Sequence, residues 1–140
     1  MNRLVIGVSN YMPEDFSLLS ESLDETYNRS LQPLDHVELT DVGAAIITST
    51  DIKAGLHKAI SETGYGIPVF LVIDETPVSA EDYVWLTGVI DLERQSIEYY
   101  CRQINEAVTK YESRLLPPFF KQLTHYVDMG NSAFDCPGHQ

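Results

Sequence analysis

A thiol and an imidazole lie three positions apart near the carboxyl end of this 140-residue chain, in the cluster Cys136, Pro137, Gly138 and His139. Those residue types can build a thiolate nucleophile or part of a metal site. A nucleophile also needs an orienting third group and an oxyanion pocket, and the stretch "GNSAFDCPGHQ" supplies neither. The four histidines, His36, His57, His125 and His139, show no metal-ligand spacing with one another or with Cys101 or Cys136. His57-Lys58 has the local form in which many Schiff-base lysines are presented. It lies in an amphipathic helical pattern with no phosphate-binding cluster nearby, so it reads as a solvated helix face.

Any such chemistry has to be positioned by regular elements, and the chain carries alternating signals for them. "RLVIGVS" is a short apolar run, and "YMPEDFSLLSESLDETY" follows with Phe16, Leu19 and Leu23 at helical spacing and Pro13 as opener. Asn28 to Pro33 reads as a loop and "HVEL" as a short edge strand. "GAAIITS" is a buried strand. "DIKAGLHKAISETG" predicts one helix with Asp51 as N-cap, Ile52, Leu56 and Ile60 on one face and Gly64 as its stop. "IPVFLVID" has the unbroken apolar character of a parallel strand covered on both faces. "SAEDYVWLTG" is a short helix capped by Ser79, and "VIDL" a last strand. The alternation predicts an α/β three-layer sandwich with a mostly parallel sheet of about five strands, flavodoxin-like or response-regulator-like.

Such sheets place ligands at the carboxyl ends of their strands, here Ser9 to Pro13, Thr48 to Asp51, Asp74 to Pro77 and Asp91 to Arg94. Receiver-type phosphorylation needs an acidic pair after the first strand, an Asp after the third, a Ser or Thr after the fourth and a Lys after the fifth. The first strand ends in Ser9 and Asn10, and the fifth is followed by Leu92, Glu93 and Arg94. Only Asp51 and Thr76 are of the right type, so neither phosphorylation nor a Mg²⁺ site is expected. The turn "VSNYMPEDF" has no G-x-G-x-x-G fingerprint, and Glu14 and Asp15 would repel a phosphate at the helix start. In a first helical turn those carboxylates would instead offset the positive end of the helix dipole.

From Glu93 onward Ile97, Cys101, Ile104, Val108, Tyr111 and Leu115 recur at steps of four and three. That spacing predicts a helix of roughly 22 residues, about 33 Å long, whose apolar stripe has the form of a coiled-coil seam. A helix of that length is expected to project from the sheet in its second half and to serve as a packed connector. Pro117 and Pro118 end it, and "FFKQLTHYVDMG" predicts a further helix with Phe120, Leu123 and Val127 inward and Gly130 at its end. The α/β domain is therefore expected over residues 1–92 and a helical linker over 93–129.

Composition excludes some partners. Nine basic residues against 21 acidic ones leave a net charge of −12, a surface that repels phosphate backbones and speaks against nucleic acid. No stretch has the length and apolarity of a membrane span, and no export signal is visible. Two cysteines do not make a disulfide framework. A cytoplasmic protein with reduced thiols is expected.

"RLLPPFFKQLTHYVDMGNSAFDCPGHQ", from Arg114 to Gln140, resembles the segment that joins the amino-terminal wing domain to the catalytic core in the large bacterial ornithine, lysine and arginine decarboxylases. "TGYGIPVFLVIDE" and "LTDVGAAIITSTD" are similar to wing-domain strands of the ornithine branch. "FDCPGHQ" is closer to that branch than to the lysine enzymes, which carry Thr-Pro-Gly-His there. The resemblance covers essentially all 140 residues. It implies a flavodoxin-like wing domain, a helical linker, residues 130–140 as the start of a cofactor-binding core, and a parent enzyme that binds pyridoxal 5′-phosphate and converts ornithine to putrescine and CO₂. That chemistry needs a Schiff-base lysine, a carboxylate on the pyridine nitrogen and a phosphate-binding loop. In the family all three lie far downstream of the Pro-Gly-His cluster, so none is carried over to a residue here, and residues 1–140 alone are expected to be inactive. The resemblance also implies a homo-oligomer formed through wing and linker helices, with the chain's own catalytic core as a further partner. Some family members bind guanine nucleotides near the wing; only Arg94 and Arg102 stand near enough here to serve such a ligand. The alternatives are a receiver-like interaction module without phosphorylation, or the wing domain of a lysine or arginine decarboxylase.

Overall fold

A computed structural model describes residues 4–115. Five strands, β1 (Val5–Val8), β2 (Leu31–Pro33), β3 (Val42–Ile47), β4 (Val69–Val72) and β5 (Gly88–Ile90), form one sheet in the order β2-β1-β3-β4-β5. Every pairing is parallel. Parallel strands need crossover connections and cover on both faces. Helices α1 (Phe16–Tyr27) and α5 (Ile97–Arg114) lie on one face. Helices α2 (Ser49–Lys53) and α3 (Leu56–Glu62) cover the other, with the single-turn helix α4 (Ala80–Tyr83) tied to α3. The expected flavodoxin-like α/β sandwich is the fold observed.

The strand pleat sorts the core. Ala44 and Ile46 of β3, with Phe70 and Val72 of β4, face Phe16, Leu19 and Leu23 of α1 and Cys101, Ile104 and Val108 of α5. Ala45 and Ile47, with Val69 and Leu71, face Ile52 and Ile60 on the other side. All six residues of β3 are buried, as suits the middle strand of a two-sided sheet.

Several local expectations are corrected. The second strand is Leu31–Pro33, inside the stretch read as a loop, while 36–39 spans two short 3-10 turns, Leu34–His36 and Leu39–Asp41. The strand signal is hidden because β2 is a short edge strand; its Pro33 pairs with Val8 where only one side needs hydrogen bonds. Glu14 and Asp15 stand just before α1 and leave its first turn without an acidic residue. The single helix expected over 51–64 is two helices, broken at Gly55, whose φ of +79° lies in the left-handed region. Its cap is Thr48; Asp51 is the partner in a capping box, accepting from the Thr48 backbone N–H at 2.9 Å and from its hydroxyl at 3.1 Å. Ser79 caps α4 as expected, accepting from the Glu81 N–H.

The largest correction concerns α5. It has 18 residues, begins after the Ser96 cap and does not project from the domain within the described residues. Cys101, Ile104, Val108 and Tyr111 are buried in the domain's own core, Ile97 is half-buried against it, and Leu115 alone in the stripe is exposed. A coiled-coil-like spacing marks an apolar stripe without saying what covers it, and here the cover is β3 and α1. The approach is close: a Cβ at Gly43 would stand 2.9 Å from Val108 Cγ1. Helix α5, read from sequence as the beginning of a linker at residue 93, is thus the outer layer of the sandwich. The linker residues beyond it, and the cluster Cys136, Pro137, Gly138 and His139, lie outside the described residues.

One buried cation fastens this layer. Arg29, just past the left-handed Asn28 that ends α1, is 3% exposed. Its Nε donates to Asn105 Oδ1 at 2.8 Å, Nη1 to Glu112 Oε1 at 3.0 Å and Nη2 to Thr109 Oγ1 at 3.0 Å. The three partners lie four and three residues apart on α5, matching the rigid fork of a guanidinium. Replacing Arg29 with Ala strands a partly buried Glu112 carboxylate and is expected to cost roughly 3 kcal/mol of unfolding free energy. Arg29→Lys should recover less than half of that, because an ammonium cannot span the three acceptors. Urea denaturation of the two variants checks both values.

Candidate functional site

The polar groups at the carboxyl ends of the strands serve local structure. Ser9 is buried, and its Oγ accepts from the Tyr11 N–H at 3.0 Å. Asn10 donates to Asp35 at 2.9 Å. Asp51 is committed to the Thr48 capping box, so its carboxylate orders a helix start in place of facing an incoming group. Asp74 accepts from the Ser49 hydroxyl at 2.9 Å and, through its other oxygen, from the Thr76 N–H at 2.7 Å. Asp91 holds the Glu93 N–H with its side chain and the Tyr100 hydroxyl with its carbonyl oxygen at 2.8 Å.

Between these turns lies a cavity of about 280 Å³ lined by Asp15, Asp74, Glu75, Asp91 and Glu93 together with apolar residues of β4 and β5. A rim of carboxylates disfavours a phosphate-bearing ligand. Among the described residues no group of three or more His, Cys, Asp or Glu side chains is arranged to hold a metal. Arg94 lines a second cavity, of about 630 Å³, beside Asp91, Tyr99 and Tyr83.

The His57-Lys58 pair splits across its helix. Lys58 is exposed, whereas His57 is 1% exposed and its Nε2 lies 2.8 Å from Asp82 Oδ1. The imidazole joins α3 to α4 and has an Nδ1 without a hydrogen-bond partner. An exposed lysine on an open helix face does not fit a Schiff-base cofactor. Sequence reading missed both His57–Asp82 and the Arg29 cluster, whose partners are 25 and 76 to 83 positions away.

Two buried groups ionise with difficulty. Burial pushes the Cys101 thiol above its ordinary 9.0; a contact with Ser22 works the other way, and Glu98 adds to the rise. Its Sγ lies 3.6 Å from the Leu19 carbonyl oxygen, and the thiol has no access to a reaction partner. Burial likewise raises Tyr111 above 10.0, with the Arg114 charge opposing and Tyr65 adding.

What the domain leaves open is surface. A trough of about 520 Å³ runs between α5 and the β4–β5 side of the sheet. Around α4 and β5, Tyr83, Val84, Trp85 and Val89 are exposed, Val84 at 79%.

Residues 11–111 match the family model described as Orn/Lys/Arg decarboxylase, N-terminal domain. The chain belongs to that family. The inducible ornithine decarboxylase of Escherichia coli (strain K12) is 38% identical over 141 aligned positions, covering 100% of this chain and 18% of the relative. The ornithine decarboxylase of Haemophilus influenzae is 44% identical over 114 positions, 81% of this chain and 16% of its own length. The inducible ornithine decarboxylase of Lactobacillus sp. (strain 30a) is 43% identical over 105 positions, 74% of this chain and 14% of its own. The chain thus spans less than a fifth of the length of these relatives. As an Orn/Lys/Arg decarboxylase N-terminal domain, it is placed by the match in this family and not among stand-alone receiver-like modules. The matched region runs through most of α5, in agreement with the packing of that helix as part of the domain.

The buried thiol and phenol set the domain's alkaline behaviour. Because both native values are raised, the unfolded chain releases these protons first; the associated stability is complete below 9.0 and declines as pH rises through 9.0 and 10.0. Unfolding free energy measured by urea titration should fall across that range. Cys101→Ala and Tyr111→Phe should each flatten the fall, and a flat wild-type profile would contradict the assignment.

Proposed function

We propose that the chain is the non-catalytic amino-terminal domain of a pyridoxal-phosphate-dependent ornithine decarboxylase acting in the cytoplasm. The observation that carries this is the pattern of identity: 38 to 44% over most or all of this chain, against ornithine decarboxylases that are more than five times its length. When bound to the parent, that cofactor would supply the electron sink for the pair left on the α-carbon as the carboxylate departs as CO₂. In this reading the cofactor's site lies in the remainder of the parent. With pyridoxal phosphate and ornithine, residues 1–140 should release no CO₂, while the full gene product should yield putrescine. Turnover by residues 1–140 alone overturns the non-catalytic reading; a full-length product active on lysine but silent on ornithine overturns the substrate.

The domain's role in this reading is assembly of a homo-oligomer. The buried stripe of α5 is unavailable for it, since Cys101, Ile104 and Val108 are 0% exposed. The support comes from the patch Tyr83, Val84, Trp85 and Val89 beside the open edge of β5. Apolar side chains next to unpaired strand edges are the usual features of a protein contact. Val84→Asp in the full-length parent should shift sedimentation towards smaller assemblies with catalysis by the residual species retained. An unchanged sedimentation profile would remove this patch from the interface.

A further inference from the structure

The exposed patch near β5 is carried on a stretch of chain with little core of its own. Val78 and Leu86 pack, partly buried, against the core on the face of the sheet that α2 and α3 cover. Between them every side chain from Ser79 to Trp85 is exposed except that of Asp82, which is half-buried. Helix α4 has four residues and buries none of them. A single turn is far too short to hold itself in water, so its place depends on what it is tied to. At its start the Ser79 hydroxyl accepts from the Glu81 N–H at 3.3 Å, a local bond that shapes the turn without fixing it to the domain. The tie to the domain is the contact between Asp82 Oδ1 and His57 Nε2 at 2.8 Å.

The histidine makes this contact hard to replace. His57 is 1% exposed on α3, and water does not reach its ring. An ionised carboxylate only accepts, so Nε2 carries the proton and donates it to Asp82. Nδ1 has no partner, which leaves Asp82 as the imidazole's one hydrogen-bond partner among the described residues. If α4 moves away, both ring nitrogens stand unanswered in the interior, and a buried polar group without a partner is costly. The displacement is therefore opposed from the buried end of the contact.

Asp82 passes this constraint on to the patch. Its carbonyl oxygen accepts from the Trp85 N–H at 3.2 Å, and that of Tyr83 accepts from the Leu86 N–H at 3.1 Å. The turn that presents Tyr83, Val84 and Trp85 is thus built on the residue whose side chain His57 holds.

We propose that the His57–Asp82 hydrogen bond is a latch that holds α4 in place and thereby fixes the surface of Tyr83, Val84 and Trp85 on which a second copy of the chain docks. The docking half rests on the reading of this patch as a homo-oligomer contact; the latch rests on the geometry of α3 and α4.

Trp85 is the single tryptophan of the chain, so its emission reports on the patch directly. In the 140-residue chain, Asp82→Ala should make Trp85 about twofold more accessible to acrylamide and speed amide exchange at Trp85 and Leu86 at least about tenfold, with the far-ultraviolet dichroism unchanged. This variant removes the latch at its partly exposed end and leaves the core packing intact. His57→Gln, whose side-chain amide can donate from the position of Nε2, should keep the wild-type values of both. In the full-length parent, Asp82→Ala should shift sedimentation in the same direction as Val84→Asp. Wild-type quenching and exchange in Asp82→Ala overturn the latch, and a His57→Gln chain as open as Asp82→Ala overturns the hydrogen bond as its cause. Assembly that is lost in Val84→Asp and persists in Asp82→Ala, with the tryptophan released, overturns the docking half. If Val84→Asp assembles normally, the reading of the patch as an interface falls, and quenching and exchange still decide the latch.

Discussion

The guanidinium of Arg29 decides where helix α5 lies. A doubly wound sheet can bury β3 only if a helix crosses it on each face, and α5 reaches its place from the far edge of the sheet after β5. Apolar packing alone leaves such a helix free to slide by a turn, because one methyl-lined stripe fits another at several settings. Three hydrogen bonds from one planar group to Asn105, Thr109 and Glu112 remove that freedom. A cation 3% exposed is costly to bury unless every donor direction is answered, so alternative settings that leave it unanswered are penalised. The close approach of Val108 to Gly43 requires the same setting. Polar fork and glycine notch therefore specify one register, and the apolar stripe supplies the bulk of the burial.

This division explains which parts of the fold were legible in the sequence. Strands β1, β3 and β4 announce themselves through apolar runs, because a strand covered on both faces has no polar alternation to confuse the reading. The edge strand β2 was illegible: three residues ending in proline carry almost no pattern, and its existence depends on pairing with β1. Gly55 was read as an ordinary interior residue, since Ile52, Leu56 and Ile60 keep their helical spacing across the break. Spacing reports which way side chains point and is silent about a local change in backbone conformation. The stripe of α5 was seen correctly as a stripe and assigned to the wrong cover, since periodicity cannot distinguish a helix lying on its own sheet from one lying on a partner.

The candidate site shows the same limit in chemical form. Asp51, Asp74 and Asp91 occupy the positions where an open α/β sheet commonly binds ligands, and a reading by residue type alone would count three carboxylates. Each has local work instead: one closes a capping box, one receives Ser49 and the Thr76 amide, one holds the turn into α5. Helix starts and tight turns expose unpaired amides, and a carboxylate is an effective acceptor for them. The long-range partners His57–Asp82 and Arg29–Glu112 were invisible for a different reason: two residues far apart in sequence carry no sign of meeting until the topology is known.

These constraints leave the domain with a firm interior and reactive groups turned to structural use. Cys101 is shielded, His57 is tied down between two helices, and Asp74 and Asp91 are already bonded at the strand ends. The matched relatives carry more than four-fifths of their length outside the region that this chain matches. Exposed apolar side chains lie at the β5 edge, Val84 and Trp85, and also towards the other end of the strand order, at Tyr11 after β1 and Leu18 on α1. The two edge strands, β2 and β5, are three residues each and differ in that β2 ends in Pro33, which has no N–H to offer a further strand.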